Sequence, residues 1–507
     1  MTDNENSNIE EIKPETSSDP SLEAYVEEAL KKAREESNTN SAESGYVEKF
    51  YSRDSAWCLL GQLLIFFVLA LFMVSPLIQL FVRMYYANEN RSIIYLSSDV
   101  RRYQWMVRNI HIIARMTAVF VYIWAAVMII SKFRAKKKGE IEFDAKSGAK
   151  KLVPLFIFFA FVAAIYIVTK VRGHNEYDLT GHPYMYESIW SYMTYPTVYF
   201  FCGMMLFSRK WKRVIVYCLT VSALPLNILA LINEWVKEIP YFTKNGMVAV
   251  FHNSNHYGYY ILIVIIANAL FYVYEKKPIL KIFNLISMCI ATMALVINNT
   301  LGAFLASFFV LAAHIVYWFI RSRKKYAVEE KERKEAKKLM MYSVIAFASF
   351  MFIIIIMSFK YNTVFSSVLK LFTDVSDIVG DPLENDAAGS GRWRLWKGTA
   401  KYIVKKPFVG YGVEGLLNTH HIGTPHNELL QYAAFFGIPT MLLYLAAVVM
   451  IIVRILKSSK KSDKITLICF CVSVGYLISS LFGVCIYYTT PFVFIFLGMA
   501  YSEYAFS

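Results

Sequence analysis

Apolar runs of about 20 residues recur along this chain from Trp57 onward, each matching the thickness of a bilayer core. The expectation is therefore an all-α integral membrane protein. Twelve spans are expected, near residues 56–82, 110–131, 152–171, 188–207, 214–233, 257–274, 280–297, 301–320, 339–358, 429–453, 465–487 and 490–505. A mean hydropathy of +0.40 agrees.

Loop charge sets the expected direction. KFRAKKKGEIEFDAKSGAKK holds eight Lys/Arg, SRKWKR four, EKKPILK three, RSRKKYAVEEKERKEAKK nine and RILKSSKKSDK five. Every second loop is therefore basic and is expected in the cytoplasm, with both termini inside. The net charge of +15 follows this alternation, so it argues for topology rather than nucleic-acid binding. The first expected outer loop is an exception, with Arg83, Arg91, Arg101, Arg102 and Arg108. Residues 1–55 are expected to form an acidic, mostly disordered cytoplasmic tail; the first 50 residues carry 13 Asp/Glu against 5 Lys/Arg, and no secretory signal is expected there. Asp19 and Pro20 there suit the start of one short helix. All seven cysteines lie in apolar runs without a CxxC pair, so neither a disulfide nor a zinc site is indicated.

This layout divides the chain into spans one to nine (56–358), a long outer loop (359–428) and spans ten to twelve (429–507). Most histidines fall on the outer side: His174, His182, His252, His256, His420, His421 and His426, with His111 at an outer edge and His314 inside a span. A connection of about 70 residues inside a compact protein is functional or disordered. Its Trp, Tyr and Phe content indicates a folded, helical loop, and chemistry is expected on that face.

Within it, GRWRLWKGTAKYIVKKPFVGYG reads as an amphipathic helix closed by Pro407. Trp393, Trp396, Ala400, Ile403 and Val404 share one side; Arg394, Lys397, Lys401 and Lys405 share another, as in an interfacial helix. Arg392 projects away from the basic stripe, beside the apolar face, where an arginine needs an anionic partner. Gly410, Gly412 and Gly415 follow, letting main-chain N–H groups approach a phosphate or simply making turns. Thr424 then suits a helix cap and Pro425 its first position, placing His426 in the first turn of the tenth span. The positive end of that helix would keep the imidazole neutral and able to accept a proton. Gly437 lies three turns on, nearly on the same face, where close packing is expected. An interfacial hydrogen bond is the plainer use of His426. Glu414 and Glu428 are fallback bases.

HNELLQYAAFFGIPT has His, Asn, nine residues, Gly, two residues and Thr. This resembles the signature of the O-antigen ligase and Wzy-type polymerase superfamily. GRWRLWKGTAKYIVKKPFVGYG is similar to that family's Arg, Trp, helix and Pro-x-x-Gly-x-Gly pattern, and FHNSNHYGYY to its Asn-rich start of a span. The resemblance implies a GT-C type glycosyltransferase, without cofactor or metal, that takes a glycan from an undecaprenyl-diphosphate carrier. It would transfer the glycan with inversion to a sugar hydroxyl on the outer face of the bacterial cytoplasmic membrane. By it His426 would be the general base, and Arg392, with Arg394, would bind diphosphate. Asn427, Asn255, His256, Gly410 and Gly412 join the substrate-binding candidates. Where ligases of this family carry an arginine, NNTLGAF places Leu301. A second cation must then come from elsewhere, with Arg172 or the first outer loop as candidates.

A polymerase joining lipid-linked repeats is favoured, with a ligase handing finished glycan to a lipid, wall polymer or protein as the alternative. Implied partners are the lipid-linked donor and acceptor, the bilayer, and chain-length regulators or other assembly proteins. A transporter of two six-span halves fits poorly, because the long connection follows span nine and no internal repeat is visible. A metal-dependent GT-C enzyme would need an acidic pair where only Asp99 stands, and zinc binding by His420, His421 and His426 lacks a completing Cys or carboxylate.

Overall fold

The computed structural model describes residues 55–89, 96–139, 145–174, 178–179, 181, 187–236, 239, 248–251, 253–323, 330–361, 363–380, 388–389, 391–413, 415–458 and 463–506. It is 85% helix, with no strand among the described residues. The expected tail helix, Arg91, His182, His252 and Glu414 lie outside the described residues, as do the side chains of Arg83, Arg101 and Arg102. The chain divides into residues 1–60 and 61–507, and the second unit holds the helical bundle.

The helices follow in order as α1 (Ser55–Met73), α2 (Ser75–Glu89), α3 (Leu96–Lys137), α4 (Ala145–Lys151), α5 (Val153–Arg172) and α6 (Ile189–Thr194). A π-helical segment, Tyr195–Phe200, runs into α7 (Phe201–Met205) and is followed by α8 (Arg209–Trp235), α9 (Ser254–Tyr274), α10 (Pro278–Asn298), α11 (Leu301–Arg321) and α12 (Glu330–Tyr361). Then come α13 (Thr363–Gly380), α14 (Arg392–Lys405), α15 (Gly415–His420), α16 (Glu428–Phe436), α17 (Ile438–Ser458), α18 (Lys464–Ser480) and α19 (Thr490–Phe506). Eight of the described helices are long and apolar enough to cross a membrane, or nine if the pair Trp57–Met73 and Ser75–Val82, bent by 55°, is one span. The remaining expected spans appear as shorter helices. The one near 188–207 is broken into α6, the π segment and α7, where Pro196 removes a backbone donor.

The bundle is built around α9, whose residues from His256 to Tyr274 are all buried against α10, α11, α12 and α18. A helix apolar on every face must be enclosed. Outer helices instead expose large apolar side chains, such as Met116 and Phe120 on α3, Phe156 and Ile167 on α5, and Phe352 on α12. In water these would be a liability; in lipid they are the ordinary solvent-facing surface. This is a multi-pass membrane protein.

The basic loops gather at one end. Arg454 and Tyr501 both donate to the Lys151 carbonyl, Arg209 pairs with Glu503 and Asp463, and Lys464 pairs with Glu335. The other end collects the long loop, the start of α9 and the head of α16.

At that second end the structure departs from the expected spans twice. The tenth span is not one helix: Gly437, at φ +86, separates α16 from α17. The eleventh ends at Ser480, and residues 481–489 leave the helix. A Cβ on Gly483 would stand 2.0 Å from the Tyr259 hydroxyl oxygen. Non-helical backbone in such a place needs partners, and Gln431 on α16 supplies them. Its Nε2 donates to the Cys485 carbonyl (3.1 Å), and its Oε1 accepts the Cys485 N–H (3.0 Å).

Candidate active site

The long loop folds onto this end through a turn that Asp374 of α13 fastens by accepting the Gly389 N–H at 2.9 Å. Gly391, left-handed at φ +81, then caps α14. The buried residues of α14 are Thr399 and Ile403; Ala400 and Val404, expected on the apolar face, are exposed. At 100° per residue the inward face is therefore centred on Arg392, Trp396, Thr399 and Ile403. That places Arg392 in the middle of the packed face rather than beside it. The face meets α16, and the Trp396 ring lies 6.2 Å from that of Phe482 in the non-helical segment.

His426 stands just before α16, not within a first helical turn. The cap is Asn427, whose side chain accepts the Leu430 N–H, and His426 adopts φ +50. That left-handed conformation is costly for a residue with a Cβ. The imidazole pKa falls to about 4, first because burial penalises the charged form and second because the Arg392 guanidinium repels it. Burial and Arg392, rather than the helix dipole, favour the neutral imidazole here. Burial likewise lowers the Arg392 pKa, with Tyr259 acting in the opposite direction. Nδ1 of His426, Nε1 of Trp396 and Oγ1 of Thr399 are all buried without a hydrogen-bond partner. Such orphaned groups are rare and cost about 1–3 kcal/mol each. Two of these groups lie on α14 and the third on the segment just before α16.

Several other candidates have structural employment. The amides of Tyr411 and Gly412 donate to the Ala434 and Phe435 carbonyls at 2.8 and 2.9 Å, capping the last turn of α16. Gly410, at φ +63, leaves no room for a Cβ, which would sit 2.5 Å from the Phe435 oxygen. Gly410 and Gly412 thus close a backbone joint. Arg172 belongs to the same joint: it pairs with buried Asp178 at 2.7 Å and donates to the Phe435 carbonyl. Because α16 has nine residues, or about 13 Å, Arg172 and His426 sit at opposite ends of it. Asn427 uses its Nδ2 on the Leu481 carbonyl, and His256 is buried against the Tyr488 hydroxyl. Asn255 lies one turn before Tyr259 on α9, on the site's side of that helix. Arg394 is exposed on the opposite face of α14 from Arg392, so the two cannot grip one phosphate together. Leu301 opens α11 as expected from its place in NNTLGAF, after the left-handed Asn299.

Glu428, a fallback base, follows His426 by two residues but is 1% exposed and accepts the Tyr444 hydroxyl at 3.2 Å. Burial raises its pKa to about 7. A sealed carboxyl that is about half protonated near pH 7 is well imitated by an amide. Glu428→Gln should therefore keep transfer within about threefold of wild type; a drop above 100-fold, measured on purified protein, would make this carboxylate the base.

Tyr259, Phe482 and Gln431 escaped sequence reasoning. Gly483 inside an apolar run was the available signal, since glycine in such a position marks a break or a close approach. No curated protein matches the chain. Residues 286–445 match the family model for O-antigen ligase, a range holding α14, the Gly410–Gly412 joint and His426. The chain therefore carries an O-antigen ligase family domain over these residues, which indicates a glycosyltransferase-type enzyme, a ligase or polymerase, with lipid-linked glycan substrates in a membrane.

Proposed function

We propose that this enzyme is a polysaccharide polymerase working on the outer face of the bacterial cytoplasmic membrane. The supporting observation is that half-buried His426 lies close enough to Arg392 to feel its charge, at the end of the bundle opposite the basic loops. The tendency of basic loops to stay in the cytoplasm supports a site on the outside and both termini inside. The donor is a glycan on undecaprenyl diphosphate. A ring nitrogen of His426 takes the proton of an acceptor sugar hydroxyl as its oxygen attacks the donor's anomeric carbon. The bond from that carbon to the diphosphate oxygen breaks, inverting the centre, and the diphosphate leaves against Arg392. Charge-assisted pairing to a planar guanidinium stabilises the departing anion, so the reaction is metal-independent.

An imidazole of pKa about 4 is a weak base in the empty enzyme. A bound diphosphate offsets the Arg392 charge and strengthens it, coupling proton removal to donor binding. The acid limb of kcat/KM should accordingly fall near pH 4. In Arg392→Gln the limb moves up while staying below 6.5, because burial, the larger cause, remains. An unmoved limb would contradict this electrostatic coupling.

The O-antigen ligase match favours a second reading, transfer of finished glycan to a different acceptor. Incubating purified enzyme with a single lipid-linked repeat, with and without excess EDTA, separates them. A polymerase yields a ladder of products unaffected by EDTA. No product without an added foreign acceptor supports the ligase, and loss of product with EDTA overturns the metal-free chemistry.

A further inference from the structure

The outward face of α14 has no part in the site just described. Arg394, Lys401 and Lys405 recur at intervals of seven and four residues, which places them within about 40° of one another and opposite Arg392. They line an open groove of about 780 Å³ between α14 and residues 421–422. Gly398 forms its floor; a Cβ there would lie 3.2 Å from the Ile422 side chain, so the glycine lets the loop approach. Among the described residues no carboxylate pairs with any of the three cations. Val404, 76% exposed, stands at the rim. Cations without a carboxylate partner among the described residues, Lys405 lying 5.1 Å from the Tyr402 ring, beside an exposed apolar edge suit an amphiphilic anion. The row is about 16 Å long, more than a lone phosphate needs. The guanidinium and lysines offer charge-assisted donors suited to phosphate oxygens.

We propose that this groove is a second lipid-diphosphate site, holding the carrier of the acceptor while Arg392 faces that of the donor. It rests on the reading that both substrates travel on diphosphate carriers, as a polymerase requires. The helix α14 then separates two like charges and sets the spacing between the incoming hydroxyl and the departing group.

The test is binding of radiolabelled farnesyl diphosphate to the full-length protein in zwitterionic nanodiscs. Wild type should bind two equivalents. Arg392→Gln should bind one, and the triple variant Arg394→Gln, Lys401→Gln, Lys405→Gln should bind one. Combining all four changes should abolish binding. A wild type that binds a single equivalent, lost with Arg392→Gln alone, overturns the groove and leaves the proposed function standing. If the triple variant still binds two, the groove is likewise rejected. Displacement of the groove equivalent by phosphatidylglycerol at matching concentrations makes it a general lipid contact and rejects the acceptor assignment. Absence of any binding to wild type overturns both this proposal and the diphosphate reading beneath it.

Discussion

His426→Ala should lower glycan transfer by about 100- to 10,000-fold, the usual contribution of a positioned general base. The residue is half-buried, precedes rather than joins α16, and makes no hydrogen bond that caps the helix; Asn427 does that. Membrane insertion and thermal stability should thus change little. His426→Asn is the sharper control. Asparagine tolerates the left-handed backbone at φ +50 better than alanine, yet cannot serve as a base. It should lose as much activity as alanine while keeping the wild-type melting temperature. Activity within tenfold of wild type in the asparagine variant would remove the imidazole from the chemistry.

Gly437→Ala should be the most damaging change to the fold. The glycine sits at φ +86, and a Cβ would stand 2.3 Å from the Phe408 carbonyl oxygen. The same joint is held by the Ile438 N–H donating to the Pro407 carbonyl at 2.7 Å. Left-handed strain and a backbone clash together cost about 3 kcal/mol or more, and neither can relax without parting α14's tail from α16. Loss of folded protein, or a melting temperature lower by several degrees, is the expected readout from thermal unfolding in detergent. Gly380→Ala, at a glycine where a Cβ would meet nothing within 4 Å and no positive φ is required, should be mild by comparison. Wild-type stability in Gly437→Ala would show that this joint does not hold the site.

The reading of the chain as a membrane protein came through cleanly because lipid imposes a strong rule: long apolar runs become helices, whatever their neighbours. Arg392 could be assigned inward from spacing alone, since a helix fixes which residues share a face. The glycines were harder. Pro407, Gly410, Gly412 and Gly437 looked like separate signals, a phosphate loop and a packing position. They are one joint, and only the Phe408 and Phe435 carbonyls pressed against them reveal it. Arg172 shows a similar gap: its charge is visible in sequence, but its pairing with Asp178, six residues on and buried, is not marked by any local pattern. The break at Ser480 was hidden by composition, as residues 481–489 remain apolar enough to extend a span. What holds them out of the helix is an amide clamp from Gln431, fifty-four residues away, and no local pattern encodes that.

The most direct test is a double-mutant cycle on purified enzyme turning over a lipid-linked repeat: His426→Gln, Arg392→Gln and the two combined. Groups that serve one transition state are strongly non-additive, so the combined variant should be no more than a few-fold slower than the worse single variant. Losses that simply multiply would place the two residues in separate roles and contradict a shared site.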